Sequence, residues 1–195
     1  MKIIVFIFIF LLSACSSAQI ATDAAQPKAS DYQVGEKWVW KYRGVTDQGI
    51  VRADGIDTKQ VIKDNGELKL SDGKNNVLVA DITKPDLNPT PRYQWPLSVG
   101  KSWIFAESWT SQDGTTGKST QNAEIISYQK ETVAAGTFMA FTIRYKGNIT
   151  NSRGYNAETE EVFVYAPEVK NFIKLTQKQG DYYYVEELIE YSKPR

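Results

Sequence analysis

The chain has 195 residues, of which 42% are hydrophobic and 12% aromatic, a composition typical of a globular domain with its own core. Its 23 basic residues equal its 23 acidic residues, so it lacks the positive excess that nucleic-acid-binding proteins use to neutralise phosphates. It has no histidine and one cysteine, Cys15, which excludes Ser-His and Cys-His nucleophile pairs and His- or Cys-ligated metal sites. We therefore expect no catalytic residues, no cofactor and no metal site.

The first 14 residues predict a lipoprotein signal peptide. Lys2 gives a positive start, and residues 3–12 are an unbroken apolar run that would be about 15 Å long as a helix, too short to span a bilayer. The following residues, Leu12-Ser13-Ala14-Cys15, resemble the bacterial lipobox. The sequence therefore predicts removal of residues 1–14, transfer of a diacylglyceryl group with acyl chains such as palmitate to the Cys15 thiol, and attachment to a membrane.

The next segment predicts where the anchored protein resides. By resemblance to lipoproteins of Gram-negative bacteria, an Asp after the lipidated cysteine would favour the inner membrane, and here that residue is Ser16. In such an organism the protein would be an outer-membrane lipoprotein of the cell envelope that faces the periplasm. Residues 15–30 are small and polar without periodicity, which predicts a flexible tether followed by a single domain over residues 31–195.

The domain sequence predicts short antiparallel strands separated by tight turns. In residues 138–146 apolar and polar residues alternate with the period of two that is typical of a half-buried strand. Pairs of turn-forming residues separate such runs: Asn65-Gly66, Asp72-Gly73, Asp113-Gly114 and Gly180-Asp181. Strands are predicted at residues 37–43, 101–109, 138–146, 161–166, 171–177 and 181–191.

Two polar segments predict solvent-exposed structure. Residues 115–121 carry no apolar alternation and predict a polar loop. Glu158, Glu160 and Glu161 precede an apolar run and predict the solvated end of a strand.

An internal repeat organises the domain. Residues 34–40 (VGEKWVW) recur 65 residues later as residues 99–105 (VGKSWIF), each with a glycine before a strand that carries alternate aromatic residues. Between the copies, the proline-rich residues 85–96 can join neither a helix nor a regular sheet ladder and predict an extended crossover. The predicted fold is all-β: an antiparallel sheet curved into a half-barrel or open barrel, built from halves at about residues 31–84 and 97–195.

The repeated aromatic residues leave two interpretations open. Trp38, Trp40, Trp103 and Phe105 either fill a core or line a concave face that receives an apolar ligand. Strict alternation along residues 183–191 places Glu187 in an apolar row with Tyr183, Val185, Ile189 and Tyr191. There Glu187 would either pair with a partner such as Arg144 or a tyrosine hydroxyl, or hold the polar end of a ligand.

Five short blocks follow one another along the domain: Val34-Gly35 with Trp38, Trp95-Pro96-Leu97 with Val99-Gly100 and Trp103, Ala135-Gly136-Thr137-Phe138 with Phe141, Tyr165-Ala166-Pro167-Glu168-Val169, and Glu187-Leu188. In their order and spacing these blocks resemble an uncharacterised family of bacterial secreted proteins and lipoproteins that contain a domain of unknown function. Ala134 stands where that family commonly has proline. The resemblance implies a β-rich domain like the open half-barrel lipoprotein carriers, and it implies no catalytic residues.

Three classes of function compete at this stage. The first is a membrane-anchored, non-catalytic binding module for an apolar or lipid-like ligand. The second is a structural or protein-interaction component of the envelope that has no small ligand. The third, an enzyme using a carboxylate pair, is disfavoured because no recognisable catalytic constellation is present.

Overall fold

In the computed structural model, residues 23–194 are described and form an antiparallel β-fold. The predicted signal peptide, Cys15 and the first part of the predicted tether lie outside the described residues. The strands are β1 (Asp23–Ala24), β2 (Lys37–Thr46), β3 (Val51–Asp64), β4 (Glu67–Ser71), β5 (Asn76–Leu78), β6 (Leu97–Ser98), β7 (Ser102–Thr110), β8 (Thr116–Val133), β9 (Gly136–Asn151), β10 (Asn156–Ala166), β11 (Asn171–Gln179) and β12 (Tyr182–Ser192). A 3₁₀ turn at Ala29–Asp31 and a short helix, α1 (Val79–Thr83), lie between strands.

Ten of these strands form one open antiparallel sheet in the order β5-β4-β3-β2-β12-β11-β10-β9-β8-β7, and β1 pairs with β6 separately. The sheet does not close, because β5 and β7 are its two edges. This architecture confirms the predicted all-β, antiparallel, open fold. The pairing of β2 with β12 joins the first strands of the domain to the last, so both halves belong to one sheet.

The internal repeat reflects the same local structure in both halves. Gly35 and Gly100 have positive φ values of 90° and 85°, which glycine adopts without strain. The Gly35 N–H donates to the Val61 carbonyl at 2.8 Å, and the Gly100 N–H donates to the Ile125 carbonyl at 2.9 Å. Each glycine thus lies at a turn that leads into a strand, β2 or β7, and is itself hydrogen-bonded to the adjacent strand, β3 or β8.

The repeated tryptophans also make equivalent contacts. The Trp38 indole N–H donates to the Val169 carbonyl at 2.9 Å, and that of Trp103 donates to the Pro91 carbonyl at 2.8 Å. In both cases a buried ring fixes a segment that lies outside the repeat, because a buried indole N–H requires an acceptor.

Two hydrophobic clusters form the core. The first core contains Trp38, Trp40, Val61, Val79, Val133, Phe138, Ala140, Val164, Ala166, Val169, Ile173 and Leu188. The second core contains Ala24, Leu97, Trp103, Phe105, Ala123, Ile125, Phe141, Ile143, Tyr145, Phe163 and Tyr165. The end of the crossover packs on the second core, and we call the side of the sheet that it covers the inner face.

Residues that precede the predicted domain boundary at residue 31 take part in the fold. Asp23 pairs with Ser98 and Ala24 with Leu97, and Ala24 is only 8% exposed. Composition gave no indication of this, because a two-residue ladder is made by backbone groups that every sequence supplies.

Residues 115–121 are not a polar loop, as the sequence predicted, because Thr116 begins strand β8. Ser119 and Gln121 are buried, at 2% and 1% exposure, and face the interior of the curved sheet. The prediction was wrong because the inward positions of this strand are polar and therefore lack the apolar alternation that marks a strand.

Candidate binding cleft

A cleft of about 260 Å³ opens on the inner face between the two cores. It is lined by Gln26, Pro27, Tyr32, Trp38, Leu70, Ile82, Tyr93, Trp95, Tyr165, Lys170 and Asn171. A second cavity of about 410 Å³ adjoins it, and the two share Gln26, Ile82, Tyr93 and Trp95.

Aromatic rings form both walls of the cleft. Tyr93 and Trp95 belong to the crossover and pack on Tyr165 at the end of β10, with ring centroids 5.3 and 5.5 Å from it. Opposite them, Tyr32 lies 6.2 Å from the Trp38 ring of β2. Because tyrosine and tryptophan combine apolar faces with a polar tip, these walls offer both apolar contact and hydrogen bonds.

Tyrosine hydroxyls supply the neutral polar groups of the cleft. Tyr165 is 3% exposed, and its hydroxyl has no hydrogen-bond partner among the described residues. Burial raises the pKa of Tyr165 and of Tyr93 far above the usual value for a phenol. Burial, followed by the charges of Glu36 and Asp31, raises the pKa of Tyr32 to about 12. All three hydroxyls therefore remain protonated donors at neutral pH.

A buried ion pair lies at the base of the cleft. Glu36 is 0% exposed and accepts hydrogen bonds from the Lys170 ammonium at 2.5 Å and from the Tyr191 hydroxyl at 2.6 Å. The Lys170 ammonium also lies 5.0 Å from the Tyr32 ring centroid and 5.8 Å from that of Trp38. Because Glu36 neutralises Lys170, the cleft does not present a free positive charge.

A second polar network lies beside the adjoining cavity. The Arg92 guanidinium stacks 3.9 Å from the Phe105 ring centroid and bonds to Glu161 at 2.7 Å and Glu107 at 3.4 Å. Burial is the largest influence on the pKa of Arg92 and lowers it, but the charge and hydrogen bond of Glu161, together with the charge of Glu107, outweigh burial and the net shift is upward. Arg92 is therefore a fixed cation of the fold.

Glu161 is not the solvated strand-end residue that the sequence predicted. It is 6% exposed and accepts hydrogen bonds from Arg92 and from Gln121 at 2.9 Å. The prediction was wrong because its partner Arg92 lies 69 residues earlier in the crossover, a contact that no local pattern reveals.

The structure divides the predicted ligand-facing aromatic residues between the two cores. Trp38 lines the cleft with part of its ring, although it is only 2% exposed. Trp40 is 1% exposed and donates to the Phe172 carbonyl at 3.1 Å. Trp103 and Phe105 lie in the second core, and neither lines the cleft or the adjoining cavity. The structure thus brings Trp38 alone, of these four, to the cleft.

Glu187 lies away from the cleft. Its carboxylate accepts the Ala134 N–H at 3.2 Å and is 3.7 Å from the Lys174 ammonium, whereas Arg144 pairs with Glu124. The expected apolar row along β12 is interrupted by a register shift between Leu188 and Glu190, which pairs Leu188 with Trp40 and Tyr191 with Trp38. Strict alternation failed here because a β-bulge shifts all later side chains by one position.

Sequence reasoning missed most of the cleft. Tyr93 and Trp95 are two residues apart between Pro91 and Pro96, a spacing that would place both rings on one side of an extended chain. That spacing, together with the presence of Trp95 and Tyr165 in the blocks that resemble the bacterial family, was the only sign in the sequence that these residues could line a binding site.

Two further observations concern the described part of the chain. Within residues 23–194, helices are too short to cross a bilayer. No group of three or more Cys, Asp or Glu side chains in the same region is arranged to hold a metal ion.

Comparisons with known proteins identify structural similarity at low sequence identity. No protein-family model matches the chain, and no curated protein matches its sequence. A Bacteroides fragilis protein, described as exported and as having a YmcC-like fold, is 12% identical with a TM-score of 0.40, and the match covers 83% of this chain and 97% of that one. A Parabacteroides distasonis protein, described as a lipoprotein, is 11% identical with a TM-score of 0.49, covering 82% of this chain and 96% of that one. Such values carry no argument about function.

Proposed function

We propose that this chain is a cell-envelope lipoprotein anchored through Cys15, and that its β-domain is a non-catalytic module that binds a small apolar or lipid-like ligand in the inner cleft. In a Gram-negative cell, Ser16 favours the outer membrane and a domain that faces the periplasm. The lipobox supports the anchor, and the aromatic cleft supports the binding module.

The buried Tyr165 hydroxyl carries the binding proposal. Buried polar atoms in folded proteins are nearly always hydrogen-bonded, and leaving one unpaired costs about 1–3 kcal/mol. The Tyr165 hydroxyl has no hydrogen-bond partner among the described residues, and Tyr165 lines the cleft together with four other aromatic residues. A ligand acceptor positioned there would remove this cost.

The charges of the cleft indicate which polar end the ligand carries. Lys170 is neutralised by Glu36. Tyr93 and Tyr165 are neutral donors at neutral pH, and burial raises their pKa values further. A neutral acceptor such as a carbonyl or hydroxyl oxygen fits this set better than a carboxylate, whose own charge would need a counter-ion. Proteins bind drug-sized ligands in cavities of roughly 300–1,000 Å³, and the two adjoining cavities suit one such molecule.

Native mass spectrometry of the purified protein tests the binding proposal. The chain would be secreted with an ordinary signal peptide so that it begins at Ser16, and purified without detergent. We expect an adduct of lipid-like mass. Ile82→Trp should abolish the adduct by filling the mouth of the cleft, because Ile82 lines it and is 42% exposed. Ile56→Trp, on the other side of the sheet and 63% exposed, is the matched control and should retain it.

An adduct that survives in Ile82→Trp would show that the ligand lies elsewhere. A wild-type protein free of any adduct would reject the carrier function and favour the alternative, a structural or protein-interaction component of the envelope. Crosslinking in intact cells would then identify the partner.

A further inference from the structure

The anchor enters the domain beside the cleft. β1 pairs with β6, which directly follows the cleft residue Trp95 and its neighbour Pro96, and Gln26 and Pro27 line the cleft just after β1. Cys15 precedes Asp23 by eight residues, a length that can span at most about 28 Å. If Cys15 is lipidated, β1 is therefore held close to the bilayer, and so is the side of the domain to which it is attached.

An exposed apolar side chain lies on this same side. Leu87 is 92% exposed and lines the cavity that adjoins the cleft, together with the half-exposed Ile82. We call residues 84–90 the rim loop. The Gln26 side chain donates to the Lys84 carbonyl at 2.8 Å, which ties the start of the rim loop to the point where the anchor enters.

A single exposed leucine is common on protein surfaces. Leu87 is notable because it lies on the side of the domain where the chain from Cys15 enters. The rim loop and α1 contain Asp81, Lys84 and Asp86, which provide no excess of positive charge for attraction to anionic lipids. The contact must therefore be apolar. One leucine alone would bind a bilayer weakly, but a tethered group acts at a high effective concentration and needs little affinity of its own.

We propose that the rim loop rests on the bilayer that holds the Cys15 anchor, with Leu87 in the interfacial region, so that the cavity behind it opens onto the membrane surface. This inference rests on the anchoring part of the proposed function. It identifies the source of the ligand as the membrane: an amphiphile moves between bilayer and cleft without crossing bulk water.

Site-directed fluorescence on the full lipidated chain tests the contact. Cys15 carries the lipid on its sulfur in the mature protein, so Leu87→Cys supplies a unique thiol for a polarity-sensitive nitrobenzoxadiazole label. The control is Asp181→Cys, in the exposed turn after β11. That turn lies the length of β11, about 30 Å, from the cleft residue Asn171. Both labelled proteins would be reconstituted into vesicles of phosphatidylethanolamine and phosphatidylglycerol, with nitroxide-labelled lipids as quenchers.

We expect blue-shifted emission and several-fold stronger quenching at position 87 than at position 181. Equal quenching at both positions, in protein that floats with the vesicles, would overturn the membrane contact and leave the proposed function standing. Protein that fails to float would instead show that the anchor itself is absent. Leu87 is almost fully exposed, so its replacement does not threaten folding.

Discussion

At the scale of single residues, the ion pair between Arg92 and Glu161 joins the crossover to strand β10 of the sheet. Removing the guanidinium in Arg92→Met leaves the 6% exposed Glu161 without its charged partner. Breaking a buried pair from one side costs about 3–5 kcal/mol, because the remaining charge stays desolvated. We expect Arg92→Met to lower the free energy of unfolding by about that amount in urea titrations.

A double variant and an exposed pair provide the controls. Adding Glu161→Gln to Arg92→Met should recover part of the loss, because the amide carries no charge and can still accept from Gln121. Arg43→Met breaks a pair with Asp54 in which both side chains are about half exposed, and should cost no more than about 1 kcal/mol. Equal decreases in the free energy of unfolding for Arg92→Met and Arg43→Met would contradict the expectation that the Arg92–Glu161 ion pair stabilises the fold more than an exposed pair does.

Among the structural elements, the two copies of the repeat each fix a connecting segment against the sheet. In strand β7, Trp103 holds the crossover through its bond to the Pro91 carbonyl. In strand β2, Trp38 holds the turn between β10 and β11 through the Val169 carbonyl. These two segments contribute Tyr93, Trp95 and Lys170 to the cleft, so the repeat shapes the cleft mainly through what its tryptophans hold in place.

Substitution of Trp103 distinguishes between the two roles that the sequence left open for it, filling the core and lining a ligand-binding face. Trp103→Ala should destabilise the domain by about 3–5 kcal/mol, because it empties a site in the second core. Trp103→Phe should cost about 1–3 kcal/mol, because it leaves the buried Pro91 carbonyl without its donor. Trp109→Phe, at a half-exposed position of the same strand, is the control for urea unfolding. If Trp103→Ala lowered the free energy of unfolding by less than about 1 kcal/mol, the result would favour a role for Trp103 in lining a ligand site.

For the whole molecule, the pairing of β2 with β12 makes the two halves a single sheet. The first four strands of the large sheet reach its other six through this ladder, and Trp38 contacts both Tyr191 and the turn at Val169. The first half has no core of its own, because the first core combines residues of β2, β3 and α1 with residues of β8 to β12.

We therefore expect the domain to unfold in one cooperative transition. Tryptophan fluorescence and far-ultraviolet circular dichroism should give coincident urea curves, as two-state unfolding requires. A substitution in the first half, Val61→Ala, should shift both curves together, because Val61 is fully buried in the first core. Two separated transitions would instead indicate that the halves fold as independent units.

The sequence alone determined the class of fold and located six of the twelve described strands. Alternation of apolar residues and Asn-Gly or Asp-Gly turns are local patterns that reflect backbone geometry, so they predicted β9 and the hairpin turn at Asn65-Gly66 directly. The repeat could also be recognised in the sequence, because both copies place a glycine, Gly35 or Gly100, where the backbone has a positive φ. The proposed lipid anchor at Cys15 likewise rests on the sequence alone, on the resemblance of residues 12–15 to a lipobox.

Only the tertiary structure decided which residues form the cleft. Tyr32, Tyr93 and Tyr165 are far apart in sequence and meet because the crossover folds over the inner face of the sheet. The same cause buried Glu161 and Gln121, whose polarity predicted exposure, and gave Glu161 an Arg92 partner from 69 residues away. A local pattern records the geometry of one strand, whereas burial and pairing depend on what the rest of the chain places opposite it.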